Sequence, residues 1–239
     1  MSRGASAQPG PPSDLTAFPA VALPVGTTVF RSVTVNGASG DPWAYGHFAN
    51  DAGGRFNVPS PRGTMSVARS QLTAIMERIG AVEPLPTKAS GPTGLAAGSV
   101  VNERFIDEAS ASKVFVYTLR VATARSRIAN LHHADANMKY SVTGELGDGA
   151  DIYPVSQAWA AALDAAGFDG IQYHTRFDTR RDDEALGYAL FGDETDTVGG
   201  LDQIGDPTAL TKLAAGVGLK LIRKTPPTRL VSALPTALP

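Results

Sequence analysis

Cysteine is absent from all 239 residues, which removes disulfides, thiolate catalysis and most structural zinc sites, and suits a reducing compartment. No apolar run is long enough to cross a bilayer, and the first residues lack the basic-then-apolar pattern of a secretory signal. The expected location is therefore the cytoplasm, with no membrane partner. Charge of one sign is not in excess either: 21 Lys and Arg face 23 Asp and Glu, for a net charge of −2. Nothing in that balance attracts nucleic acid, which favours clustered Lys and Arg, so no nucleic-acid partner is expected. A Walker loop is missing, and Gly53-Gly54 lacks the Gly-x-Gly-x-x-Gly spacing after a long apolar strand, which disfavours a Rossmann dehydrogenase.

What is present suffices for a core. With 43% hydrophobic and 18% charged residues, a chain of this length is expected to form one domain with trimmings. Residues 1–24, rich in Pro, Gly, Ala and Ser, read as a flexible lead, residues 25–224 as the domain, and the proline-rich 225–239 as an extended or disordered tail. The β-branched stretch Thr27 to Val35, closed by Asn36-Gly37, reads as a strand, as do Val114 to Val121, Gly170 to Arg176, Tyr188 to Phe191 and Leu219 to Ile222.

Leu72, Ile75, Met76 and Ile79 fall at helical spacing between the N-cap Ser70 and the C′ residue Gly80. Ser156 to Ala166, with Trp159 and Leu163 on one face, reads as a helix that stops at Gly167-Phe168. Asp206-Pro207 is expected to open a last helix. The loop Pro59 to Gly63 and the Pro/Gly-rich stretch 82–101 separate elements, while Arg55-Phe56-Asn57 is expected to be briefly extended. Strands and helices mixed without regular alternation predict an α+β fold.

Chemistry concentrates at Gly53-Gly54-Arg55-Phe56-Asn57 and at Glu77, which puts a cation and a carboxylate on neighbouring elements. At 100° per residue Glu77 lies off the apolar stripe of its helix and faces either solvent or a cleft. Arg31 reads equally as the polar face of a strand, Arg55 as a turn cation pairing with Asp51, and Thr175 as a β-branched strand residue. His132-His133 point in different directions with no third ligand at a standard spacing, so no metal is expected. His47 is placed at a cleft mouth. Neither it nor His174 has a visible orienting carboxylate, and no general base is assigned. Trp159 reads as core. Asp182-Asp183-Glu184 after Arg180-Arg181 reads as a solvated turn.

Phe30-Arg31, Gly54-Arg55-Phe56-Asn57, Gly63-Thr64-Met65-Ser66-Val67-Ala68, Glu77, Gln157-Ala158-Trp159, Gly167-Phe168-Asp169-Gly170-Ile171-Gln172-Tyr173 and Ala189-Leu190-Phe191-Gly192 occur in that order. Together, over Val29 to Asp193, they resemble the RES-domain family. The resemblance implies an ADP-ribosyltransferase-like split β-sheet with flanking helices and a reaction that consumes NAD as substrate. The same resemblance suggests the toxin of a toxin–antitoxin pair with an Xre-type antitoxin partner. It places the family arginines on Arg31 and Arg55, its glutamate on Glu77 and its serine on Thr175. Met65 stands where many members carry an aromatic, and the resemblance counts it with Arg31, Arg55, Phe56 and Thr175 among the substrate-binding residues.

The chemistry fits these residue types. Cleaving the nicotinamide–ribose bond develops positive charge, which a fixed carboxylate such as Glu77 stabilises. Pyrophosphate suits the planar fork of arginine, here Arg31 and Arg55. Phe56 or Tyr45 would stack on nicotinamide or adenine, and the Thr175 hydroxyl would bond phosphate or ribose. Two other readings stay open: a protein ADP-ribosyltransferase built on the same site, and a non-catalytic NAD-binding or partner-binding module.

Overall fold

Alternation of apolar residues sets the scaffold. In the strand Val114–Val121, Val114 and Val116 turn to one side and Tyr117, Leu119 and Val121 to the other, and all five are buried. A strand apolar on both faces must be covered on both. The structure, a computed structural model, describes residues 8–35, 37, 42, 44–50, 53–79, 104–143, 146, 153–175 and 182–222. Its strands are β1 (Ala20–Leu23), β2 (Thr28–Thr34), β3 (Arg62–Ala68), β4 (Arg104–Asp107), β5 (Val114–Val121), β6 (Arg125–Asn130), β7 (Gly170–His174), β8 (Leu186–Asp193), β9 (Leu201–Gln203), β10 (Thr208–Ala209) and β11 (Leu219–Ile222). Its helices are α1 (Gln71–Ile79), α2 (Glu108–Ala111), α3 (Ala134–Tyr140), α4 (Tyr153–Ala165) and α5 (Leu210–Leu213).

The main sheet runs β1-β6-β7-β8-β3-β2-β5-β10, with β9 also on β5. Only β6 and β7 pair in parallel within it, and β4 and β11 form a small parallel pair beside it. This is the expected α+β fold. One face carries a continuous apolar layer that includes Val29, Val33, Met65, Val67, Leu119, Tyr188 and Leu190. The other face is divided. Trp159, Leu163 and Phe168 cover Ile171, Tyr173 and Phe191 on one half, while Ile75, Leu210 and Leu219 cover Val114 and Val116 on the other. No helix among the described residues is long and apolar enough to cross a membrane.

Local signals account for the helix ends. The Ser70 hydroxyl accepts the Thr73 N–H (3.2 Å) and donates to the Glu184 carbonyl (2.8 Å), so it caps α1 and ties it to the turn that leads into β8. The stop of α4 is a Schellman motif. Gly167, at φ +79°, donates to Asp164 O (2.9 Å), and Phe168 N–H reaches Leu163 O (3.1 Å). Arg62 of β3 grips Asp164 with Nε and Nη2 at 3.2 and 2.8 Å, which pins α4 to the sheet.

Three expectations are corrected. Residues 8–24 are not a flexible lead: Leu15 and Phe18 are 3% and 4% exposed, and β1 pairs with β6. Average composition hid two anchors and their partners. Phe18 packs against Tyr140, Trp159 and Phe168, and the Pro9 carbonyl accepts the Trp159 indole N–H at 2.8 Å. The last helix does not open at Asp206-Pro207, because Thr208 and Ala209 first pair with β5 and α5 begins at Leu210. Arg55-Phe56-Asn57 is a turn, not an extended piece. Asn36, Trp43, Asp51, Gly80, residues 82–101, Arg176, Arg180, Arg181 and the 225–239 tail lie outside the described residues.

Candidate active site

Two strands that part from one another make the site. β2 and β3 share the single register pair Phe30 with Ala68. From there β2 follows β5 to Thr34, and β3 follows β8 back to Arg62. The sheet splits, and residues 47–49 enter the wedge. Ala49 and Thr64 exchange both backbone hydrogen bonds at 2.9 and 2.8 Å, and Arg31 Nη2 donates to the His47 carbonyl at 2.7 Å. The wedge opens into a cleft of about 760 Å³ whose lining includes Arg31, Arg55, Ser66, Glu77, Arg78 and Tyr173. That volume is ordinary for a small-molecule site.

The turn that delivers Arg55 is held on three sides. A Cβ on Gly54 would lie 2.2 Å from Asn57 Oδ1, so glycine there leaves room for the Asn57 amide. Its carbonyl accepts the Gln157 side-chain N–H from α4 at 2.8 Å. The buried Thr64 hydroxyl donates to Phe56 O (2.8 Å) and accepts the Val58 N–H (3.2 Å). Replacing Thr64 by Val leaves two buried backbone groups unpaired, so thermal or denaturant unfolding should show a loss of about 1–3 kcal/mol.

Arg55 itself is 9% exposed, and its Nε and Nη1 are buried without a hydrogen-bond partner among the described residues. Its Cζ lies 5.5 Å from the ring centroids of both Phe56 and Tyr173, a cation–π arrangement that orients the fork. The expected pairing with Asp51 concerns a residue outside the described set.

Arg31 is half-buried, with Nη1 unpartnered. Burial, assisted by the nearby Arg78 and opposed by Tyr117, brings its pKa down to about 10. It is a cation at neutral pH all the same. Glu77 faces the cleft rather than solvent. Its Oε2 accepts a hydrogen bond from the Tyr173 hydroxyl at 3.0 Å, while its Oε1 is buried and unpartnered. Tyr173, 3% exposed, has its pKa pushed well up, first by burial and then by the Glu77 charge, against the opposing effects of Arg55 and Ser66. The phenol therefore stays protonated and donates.

Of the residues singled out from the sequence, Arg31, Arg55 and Glu77 meet in this cleft, and His47 lines it. Phe56 also borders it but is 4% exposed, tilted against Tyr173 at 5.1 Å between centroids. It is a platform for Arg55, not an open stacking surface. Met65 is misplaced by the sequence reading: fully buried, it belongs to the apolar layer on the opposite sheet face, while Thr64 and Ser66 point to the cleft. Thr175 follows β7, fully buried and outside the cleft lining. Tyr45 packs on Tyr117 at 5.6 Å and donates to Leu201 O (3.3 Å), also away from the cleft.

His133 caps α3 by accepting the Asp135 N–H, and the rings of His132 and His174 lie 4.3 Å apart outside the cleft. No group of three His, Asp or Glu among the described residues is placed to hold a metal. Sequence reasoning assigned no site role to Tyr173, Ser66, Arg78, Tyr153 or Gln157, although Ser66, Gln157 and Tyr173 stand in the blocks that carry the family resemblance. The signal for Tyr173 was its alternation with Ile171, which puts both side chains on one face of β7.

Comparison with known proteins agrees with this architecture. No curated protein matches the sequence significantly. Among solved structures, a chain of the M. tuberculosis MbcT–MbcA toxin–antitoxin complex is similar at TM-score 0.52 and 16% identity, covering 82% of this chain and 91% of that one. At that identity the likeness concerns the fold. The sequence model of the RES domain matches residues 28–210, a span from the first residue of β2 to the first of α5 that takes in both halves of the split sheet and every charged residue of the cleft, and the chain belongs to the RES-domain family.

Proposed function

We propose that this protein is an NAD-consuming enzyme that cleaves the nicotinamide–ribose bond, with water or phosphate as acceptor, and that it is the toxin of a toxin–antitoxin pair. One observation carries the reading. Buried nitrogens of Arg31 and Arg55 and a buried oxygen of Glu77 share one cleft, yet none has a hydrogen-bond partner among the described residues. Opposite charges left unpaired in a partly dry space are costly unless a ligand completes them. A ligand that does so is anionic at one end and becomes cationic at the other during reaction. NAD has that character: its pyrophosphate suits the arginines, and its ribose gains positive charge as nicotinamide leaves. Membership of the RES family supports the same choice, and the antitoxin named with the solved relative supports a protein partner of that kind.

Purified protein incubated with NAD, with and without phosphate, should release nicotinamide, with chromatography resolving ADP-ribose from its phosphorylated form. NAD left intact under both conditions sinks the proposal. A protein adduct from labelled NAD in a lysate would redirect it to ADP-ribosyl transfer, and binding without turnover to a non-catalytic module. Arg31→Ala should raise KM for NAD about tenfold, since one charge-assisted hydrogen bond contributes about 1.5 kcal/mol or more.

A further inference from the structure

We infer that Tyr173 is a positioning residue for Glu77, resting on the function just proposed: its hydroxyl holds Oε2 so that Oε1 alone is presented to the reacting ribose. The two oxygens of Glu77 are not equivalent. One accepts the Tyr173 hydroxyl at 3.0 Å, and the other is buried and unpartnered at the cleft. A glutamate on an exposed helix face samples several rotamers, and a single hydrogen bond to a rigid donor removes most of that freedom. The donor is rigid for visible reasons. Its ring is 3% exposed, packed against Phe56 on one side and with the Arg55 guanidinium 5.5 Å from its centroid.

Room for that ring is made across the ladder. Tyr173 pairs in register with Gly187 of β8, where a Cβ would lie 2.8 Å from Tyr173 Cζ and 3.0 Å from its hydroxyl oxygen. A side chain at 187 displaces the phenol. Glycine there thus serves the placement of one hydroxyl.

The groups that face this pair set its electrostatics. Arg78 comes from α1, Arg31 from β2, Arg55 from the turn, His47 from the inserted loop, Ser66 from β3 and Tyr153 from α4. Glu77 is the only carboxylate in the described lining. Removing a donor from a carboxylate disfavours its charged form and raises its pKa. An enzyme that needs Glu77 ionised then loses activity at a higher pH on the acid side.

The test compares the full chain with Tyr173→Phe, which keeps the ring and its packing. Expected are a kcat for nicotinamide release lower by about 10-fold to 30-fold, the loss of one hydrogen bond to a charged group, a KM for NAD within about threefold, and an acid limb of the kcat–pH profile higher by about one unit. Gly187→Ala, which keeps the hydroxyl but displaces it, should shift the limb in the same direction and serves if Tyr173→Phe does not fold. A readout independent of turnover is the Glu77 carboxyl titration, followed by carbon NMR and assigned with Glu77→Gln.

An upward shift of that titration in Tyr173→Phe supports the positioning role even if wild-type protein leaves NAD intact, in which case the proposed reaction alone fails. Wild-type kcat and an unmoved acid limb in an active variant, or an unmoved Glu77 titration, overturn the inference.

Discussion

Glu77→Gln is expected to lower kcat for the proposed nicotinamide release by about 10³-fold while NAD binding changes little, within the range seen when a preorganised charge is removed from a transition state. The substitution is nearly isosteric. The new amide oxygen still accepts the Tyr173 hydroxyl, so α1, the phenol and the cleft keep their geometry. Only the negative charge is lost, and it matters most when the ribose becomes oxocarbenium-like. Steady-state kinetics against calorimetric NAD affinity separates this outcome from a binding defect. A kcat within tenfold of wild type would mean that Glu77 does not stabilise the reacting centre, and the proposed mechanism would fall with it.

Arg55→Ala should raise KM for NAD by about 10²-fold, because two buried guanidinium nitrogens await acceptors and each charge-assisted bond contributes about 1.5–3 kcal/mol. Arg55→Lys should recover little of this. A lysine lacks the planar fork that can bind two phosphate oxygens at once, and the delocalised cation that stands 5.5 Å from the centroids of both the Phe56 and Tyr173 rings. The stability consequence has the opposite sign. A buried cation without an acceptor opposes folding, so Arg55→Leu should unfold at a temperature no lower than wild type even as NAD binding is lost. Kinetics and thermal unfolding on the same variants check both halves. A large drop in Tm with unchanged KM would make Arg55 a structural cation.

Several features were legible before any tertiary structure. The β-branched run of β2 and the doubly apolar β5 follow from composition alone, and the Gly167-Phe168 stop of α4 forms the hydrogen bonds its sequence implies. Short or polar elements were not legible. β6 reads Arg-Ser-Arg-Ile-Ala-Asn and becomes a strand because β1 and β7 flank it. The segment 8–24 looked unable to fold because its anchors, Leu15 and Phe18, are few, and their value depends on a pocket built by α3, α4 and Phe168.

The sequence by itself determined which residue types are available for chemistry: arginines on β2 and on a Gly-Gly turn, a carboxylate off the stripe of α1, and no cysteine. Only the tertiary structure decided which of them meet. Period-two alternation states that Met65 and Ser66 point to opposite sides of β3, but not which side holds the cleft. That choice is made by α1 and the Arg55 turn on one face and the apolar layer on the other. The bond between Glu77 and Tyr173 joins residues 96 positions apart. It exists because the sheet splits beyond Phe30 and Ala68 and the two halves of its outer face are covered separately, leaving unpaired charge in the gap. Such a gap arises from packing between distant elements, where local propensity has no reach.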